Sequence, residues 1–407
     1  MKPTKIASAV IAFIALACQP GDAPVRQSGT QVRDSADIRI IENPRPQDGT
    51  RLGWRVGPEP AVTIGATDGE EPYLFQHAIG ATTLSDGRIV VADYGSMELR
   101  IFDGASGTQL TTMAGVGEGP GEFGDLMDVE RLPGDSIMAW GFPLRASVFG
   151  PAGGFVRGFR LERQAETIVG LRPITPVAAM EDGSILASVS PLHIDTLVVE
   201  LWDAEGNLRT PLGSHLAHEP RTWVEGGINS TQTFGWDLKL APWGELAVVT
   251  ASKRYEIMAF ATDGTLARIV RVEHVPRAPT EADIEAYIEV EIRRQIPDSF
   301  GENVEEARAQ ARRVIMATPV AEHFPAFASI MSDRTGDLWV EEYEVVGEES
   351  DGVLWSVFDP DGHVLGFVET PEGLTIYEIG EDYILGRVQD ELGVESVQLW
   401  PLERVEG

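Results

Sequence analysis

The chain has 407 residues, 43% of them apolar, enough for one large hydrophobic core or two ordinary ones. Its 64 acidic against 32 basic side chains give a net charge of −32, a surface that repels nucleic acid and anionic headgroups and so argues against DNA or RNA as partner. With a single cysteine, no internal disulfide can form.

The first residues read as an export signal. Lys2 and Lys5 supply a short positive region, Ile6 to Leu16 an apolar run too short to span a bilayer, and Ala17 a small residue before the lone Cys18. The stretch Ala15-Leu16-Ala17-Cys18 resembles the lipobox of bacterial lipoproteins, with Ala15 where Leu is commoner. The resemblance implies that Cys18 is the lipidated first residue of the mature protein. With Gln19 behind it rather than Asp, it also implies sorting to the outer membrane, so that membrane contact runs through the anchor alone. A plain cleaved signal with an incidental cysteine is the alternative. Loss of Lys2 and Lys5 takes the 32 basic residues to 30 against 64 acidic ones, a net −34. Residues 19 to about 36, rich in Gly, Pro, Ser, Asp and Gln, suit a flexible tether, leaving 37–407 as the folded domain.

Two short strand candidates come next, "ADIRIIE" near Ala36 and "AVTIG" from Ala61 to Gly65. A longer pattern then recurs six times: an apolar residue, an Asp/Gly turn, an apolar strand, a loop, a second strand, a second turn and a third strand. "LSDGRIVVAD" with "ELRIFDGASG" is the first copy, and "IGEDYILGRV" with "SVQLWPLER" is the last. Anchored on Leu84, Leu132, Met180, Leu240, Met331 and Ile379, the spacings are 48, 48, 60, 91 and 48, a regular array carrying two insertions. Each copy offers about four short β segments, the make-up of a propeller blade, and "RIVVAD" is apolar on both faces, as a covered sheet requires. The expected fold is all-β, a six-bladed β-propeller. The sixth copy has three strands of its own, so "AVTIG" is expected to close the ring as its outer strand, with "ADIRIIE" beside it as a further edge.

"GVGEGPGEFG", Gly115 to Gly124, falls between the outer strand of the first copy and the inner strand of the second, where the chain crosses from rim to centre. Glycines permit positive φ there, and the spacing of a phosphate loop is absent. A structural turn is one reading, Glu122 as a ligand the other. Between about 280 and 318, inside the longest spacing, Thr280 with Asp283 makes a capping-box-like start. Ile284, Tyr287, Ile288 and Ile292 fall on one helical face, and Pro297 ends the run. A second amphipathic stretch carries Val304, Ala307, Ala311, Val314 and Ile315, so a helical hairpin is expected between blades four and five. It either covers apolar surface or acts as a lid or docking element.

"GVGEGPGEF" together with "GRIVVADYGSMELRIFD" resembles the exported six-bladed β-propeller proteins related to NHL-repeat domains, many of them lipoproteins. The resemblance covers roughly residues 53 to 404 and implies the fold while saying almost nothing about chemistry.

In a propeller the loops after second strands share a face with those before inner strands. That face is expected to gather Asp93, Tyr94, His193, Lys253, Arg254, Glu341 and Arg387 from the first kind of loop, and His77, Glu122 and His323 from the second. Each has a structural reading beside the functional one: Asp93 as a turn cap, the histidines as hydrogen-bonded loop residues, Glu341 as a solvated strand end, and the arginines as partners of surplus acids. No Ser-His-Asp order or H-E-x-x-H motif is visible. The leading expectation is a lipid-tethered envelope binding module that recognises a protein, peptide or glycan through this loop face. The alternative is a metal-dependent lactonase-like or lyase-like propeller, with oxygens from Asp93, Glu122 and Glu341 around a divalent cation such as calcium. A third reading gives the acidity itself a role in weak Ca²⁺ binding or salt solubility.

Overall fold

Alternate side chains of the strand Ile89–Asp93 enter two different cores. Ile89 and Val91 join Val62, Leu385 and Val397, while Val90 and Ala92 join Leu84, Val129 and Phe149. A strand apolar on both faces belongs to a sheet stacked between two others, and each of the six sheets is stacked so. The computed structural model describes residues 29–47, 50–141, 145–161, 171–191, 195–224, 228–297, 303–348 and 352–404. Cys18, with the rest of the expected signal, and His193 lie outside the described residues.

The chain forms a six-bladed β-propeller of antiparallel sheets. Blade one is Ala78–Thr83, Ile89–Asp93, Glu98–Phe102 and Gln109–Ala114, from the axis outward. Asp128–Arg131, Ile137–Gly141, Arg145–Phe149 and Phe155–Arg160 make blade two. Blade three is Leu171–Ala179, Ile185–Pro191, Thr196–Trp202 and Leu208–Leu216. Blade four follows with Leu238–Trp243, Leu246–Ala251, Glu256–Phe260 and Leu266–Val272. Phe327–Ser332, Leu338–Glu342, Val353–Phe358 and Val364–Thr370 build blade five. Blade six has Thr375–Ile379, Tyr383–Gln389 and Glu395–Glu403 from the C-terminal end, and Val62–Ile64 pairs antiparallel with the last of these, Val397 facing Ile64. One apolar cluster fills each of the six seams between blades, burying Trp140 and Trp202 between blades two and three and Trp339 between five and six.

The N-terminal strand departs from expectation. Ile38–Asn43 does not lie beside blade six; it runs parallel to Leu266–Val272 at the edge of blade four, with Ile41 facing Val270 and fully buried. Gln31–Ser35, placed by composition in the tether, pairs back on it through a turn with positive φ at Ala36 and Asp37. The physical reason is a strap. Asn43 inserts its amide into blade five, Nδ2 donating to Gly362 O (2.9 Å) and Oδ1 accepting from Val364 N (3.1 Å), and Leu52 N donates to Phe367 O (2.8 Å). Arg55–Val56 then pairs with Leu402 and Glu403 of blade six. One segment thus covers three successive sheet edges.

The helical hairpin lies between blades four and five, α1 at Glu281–Gln295 and α2 at Val304–Ala317. The capping box is complete: Thr280 Oγ1 accepts from Asp283 N, and Asp283 Oδ2 accepts from Thr280 N (2.8 Å). Ile288 and Ile292 are buried and Ile284 and Tyr287 half-buried, the latter two packing on Phe234, Phe324 and Tyr343. Val314, expected on the apolar face of α2, is instead 57% exposed, because α1 does the packing while α2 buries no residue completely.

Candidate functional site

On the loop face, the residue types that suggested ligands are engaged in holding turns. Asp93 is fully buried; its Oδ1 accepts from Gln76 N (3.1 Å) and His77 N (3.0 Å), its Oδ2 accepts from Ser96 Oγ (2.8 Å), and Arg100 lies 3.5 Å away. Glu122 turns back onto its own glycine loop and accepts from Gly119 N (2.8 Å), while Gly117 N and Phe123 N pair with Phe123 O and Gly115 O. Each side chain thus caps nearby backbone N–H groups, as the structural reading of both expected.

Three expected residues do come together, at the seam of blades six and one. Glu395, buried, accepts from Ala78 N (2.7 Å) and Arg387 Nη1 (2.8 Å) and lies 3.2 Å from His77 Nδ1. Tyr94 stands edge-on to the His77 ring at 6.3 Å and is 43% exposed. The exposed His77–Tyr94 rim rests on a buried carboxylate that the sequence pattern did not single out. His323 and Arg254 are exposed on the same face without joining this cluster, and Glu341 is bound by Ser329 Oγ within blade five. Beside it, Glu342 accepts from Tyr255 Oη (2.7 Å), Ser356 Oγ (2.6 Å) and Arg45 Nη2 (2.9 Å) and belongs to the packing of the strap. Lys253 reaches over the Trp236 ring at 5.9 Å.

The richer constellation lies elsewhere. Around the axis the six inner strands enclose a cavity of about 560 Å³ that none of the expected site residues among the described ones lines. Its wall mixes apolar side chains such as Ile79, Leu240 and Ile330 with charged ones from blades two, five and six. Arg334 donates to Glu378, which also accepts from Thr82 Oγ1 (2.5 Å), Thr83 Oγ1 and Tyr383 Oη. Burial alone would raise the Glu378 carboxyl, but the Arg334 charge and these hydrogen bonds outweigh it and hold the group below its ordinary value.

Asp128 and Glu130 behave oppositely. Burial raises Asp128 to about 7, opposed only by a hydrogen bond from Val129 N (2.7 Å). Burial and then the neighbouring Asp128 charge raise Glu130 to about 8, against a weaker pull from Arg334. Both residues are half-buried in the lumen wall, where surrounding protein displaces part of the water that would solvate their charged forms. At neutral pH Glu130 is therefore mostly protonated and Asp128 partly so.

The sequence signal for this site is the stretch "DVER" in an inner strand. Val129 alternates into the seam core, leaving Asp128 and Glu130 on the other side of the strand. Among the described residues, one group of three acids or histidines has its ligand atoms close enough for a metal ion, Asp359, Asp361 and His363 in an outer turn of blade five, well away from the channel. There Asp359 Oδ1 already accepts from Asp361 N (3.0 Å) and His363 N (2.8 Å), the bonding of a capped turn.

No family model and no curated protein matches the chain. Among solved structures it is similar to an exported protein from Bacteroides fragilis at 11% identity, covering 90% of this chain and 99% of that one with a TM-score of 0.47. A DUF4221-family protein from Bacteroides vulgatus gives 11% identity, 86% and 99% coverage and a TM-score of 0.48. Regucalcin from Agrobacterium tumefaciens, a calcium-binding protein, gives 11%, 90%, 97% and 0.36. Likenesses at this level carry no information on ligand or activity.

Proposed function

We propose that the protein is an exported binding propeller, tethered to the cell envelope through Cys18, that takes part of a protein, peptide or glycan ligand into its central channel. The observation that carries this reading is the 560 Å³ cavity with Asp128 and Glu130 in its wall, a convergence of concave shape and acids raised by burial. The loop face offers less, since Asp93 is taken up by the backbone of Gln76 and His77, Glu122 folds back on Gly119 N, and of the remaining expected residues among the described ones only His77, Tyr94 and Arg387 gather. Probing an array of envelope peptides and glycans with the full-length protein tests the reading. Binding should weaken in Asp128→Asn and Glu130→Gln and persist in His77→Ala and Arg387→Ala; the reverse pattern would move recognition to the loop face. Cys18→Ala should release the protein from the membrane fraction, and retention there would remove the lipid tether from the account.

A lactonase-like or lyase-like enzyme is the second reading, favoured by acids that titrate near neutrality inside a channel. The spacing of the channel carboxylates counts against a divalent metal, because Asp128, Glu130 and Glu378 are not gathered closely enough to share one ion. Metal-dependent hydrolysis of a lactone, lost in Glu378→Gln, would move this reading to first place.

A further inference from the structure

Charge in the channel is unbalanced in one place. On blade two's own strand, Arg131 donates to Thr83 O (3.0 Å) and lies 3.6 Å from Asp135, which also holds Ser85. The only polar side chain blade one brings to the wall is the hydroxyl of Thr82, blade three brings Glu181 at the exposed mouth, and blade four brings no titratable group. From blade five, Asp333 is taken by Arg404 (2.8 Å) and the Trp339 indole (3.0 Å), and Arg334 is taken by Glu378 of blade six, where Tyr377 donates to Ala78 O. Both basic groups that the described residues bring to the wall, Arg131 and Arg334, are therefore matched. The Asp128 side chain accepts only from the adjacent Val129 N, and the Glu130 side chain accepts no hydrogen bond from any described residue, although it is half-buried in the cavity wall. Such a group is unpartnered until something enters.

We propose that the channel is a receptor site for an organic ammonium ion, whose cationic nitrogen docks against the carboxylates of Asp128 and Glu130. The inference rests on the channel reading above and names the chemical class of its ligand. A bare metal ion fits less well: the cavity is far larger than a single ion needs, and the channel acids do not converge into a shell around one point. An ammonium group on a carbon chain fits both halves of the wall, the cation at the acids and the chain along Ile79, Leu240 and Ile330. Because the two acids hold protons in the empty channel, a cation that pairs with them must displace protons. Uptake is then coupled to proton release, and affinity rises with pH until both acids are ionised without help.

Calorimetry on the full-length protein in nanodiscs tests this, with putrescine as the ammonium probe, 1,4-butanediol as its neutral isostere and empty nanodiscs as the blank. Putrescine should bind and butanediol should not. The putrescine Kd should fall about tenfold from pH 6 to pH 7 for one proton released. Its binding heat should differ between phosphate and Tris by the ionisation heat of the displaced proton. Glu130→Gln and Asp128→Asn should each weaken binding about tenfold or more and flatten the pH dependence, whereas Glu130→Asp, which keeps the charge, should retain both and guards against a variant that merely misfolds. Equal binding of butanediol would overturn the ammonium assignment and leave the channel a neutral-ligand site. Putrescine binding unaffected by all three variants would place the site outside the channel and overturn the parent reading too. Saturation by Mn²⁺ or Ca²⁺ without putrescine binding, or binding of no probe at all, would also sink the proposal.

Discussion

Arg334 and Glu378, contributed by neighbouring blades five and six, form an ion pair in the channel wall, with Thr82 of blade one hydrogen-bonded to both. The contact joins three blades at the axis. Arg334→Met should cost about 3 kcal/mol, the low end for a buried pair, because Arg334 keeps 32% of its side chain exposed while Glu378 keeps 7%. The sign of the pH dependence follows from the Glu378 carboxyl, which is held below its ordinary value. Its contribution is present above the ordinary glutamate range and is lost as pH falls through the lower native value, so wild type and variant should converge in acid. Urea unfolding at pH 7 and in mild acid measures this; a gap that does not narrow would show that the pair contributes through packing alone.

Glu130 should behave in the opposite sense. Its carboxyl is raised to about 8 by burial and by Asp128, so ionising it costs the folded state increasingly as pH rises from about 4.5 toward 8. Glu130→Gln should therefore be nearly neutral at pH 5 and stabilising by about 2–4 kcal/mol at pH 8.5. Thermal denaturation of both proteins across that range decides it. Equal destabilisation at both pH values would mean that the carboxyl is already ionised and paired in the native state.

The fold was more legible than the site for a physical reason. Seam packing repeats, so the anchors from Leu84 to Ile379 appear as a period, and the Thr280–Asp283 capping box is a local pattern that the helix start obeys. The channel site is a convergence of unlike residues from different blades, Asp128, Arg334 and Glu378, with no common motif and large sequence separations. Only the register of the inner strands brings them together. Asp93 and Glu122 each carried two readings because an acid in a glycine turn has the same sequence signature whether it binds a ligand or caps its own backbone. The strap was misplaced because "ADIRIIE" declares a strand but not the edge it joins; Asn43, anchored on Gly362 and Val364, is the contact that fixes its position.

The strap gives a prediction that separates edge coverage from tethering. Ile41 is completely buried between blades four and five, and Ile41→Ala should cost about 2–4 kcal/mol through loss of packing and the cavity left behind. Val32, one strand further out and 46% exposed, should tolerate Val32→Ala within about 0.5 kcal/mol. Urea midpoints of the two variants compare them directly. If both were neutral, the strap would be a passive tail rather than part of the propeller.

The glycine-rich turn can be tested at single positions. Gly121 has φ of +80°, and a Cβ there would stand 3.1 Å from both Phe149 and Phe155 ring carbons, so Gly121→Ala meets backbone strain and aromatic crowding together. A loss of about 1–3 kcal/mol is expected. Gly124 supplies the control: its φ is not in the left-handed region and nothing lies within 4 Å of an added Cβ, so Gly124→Ala should be neutral within about 0.5 kcal/mol. Glu122→Gln keeps an oxygen for Gly119 N and should cost less than about 1 kcal/mol. These values distinguish a turn built for geometry from a loop built around a ligand. In a geometric turn the penalty follows the local φ and the space at each glycine, whereas in a ligand loop Glu122 would carry the largest effect and would carry it on binding rather than on stability.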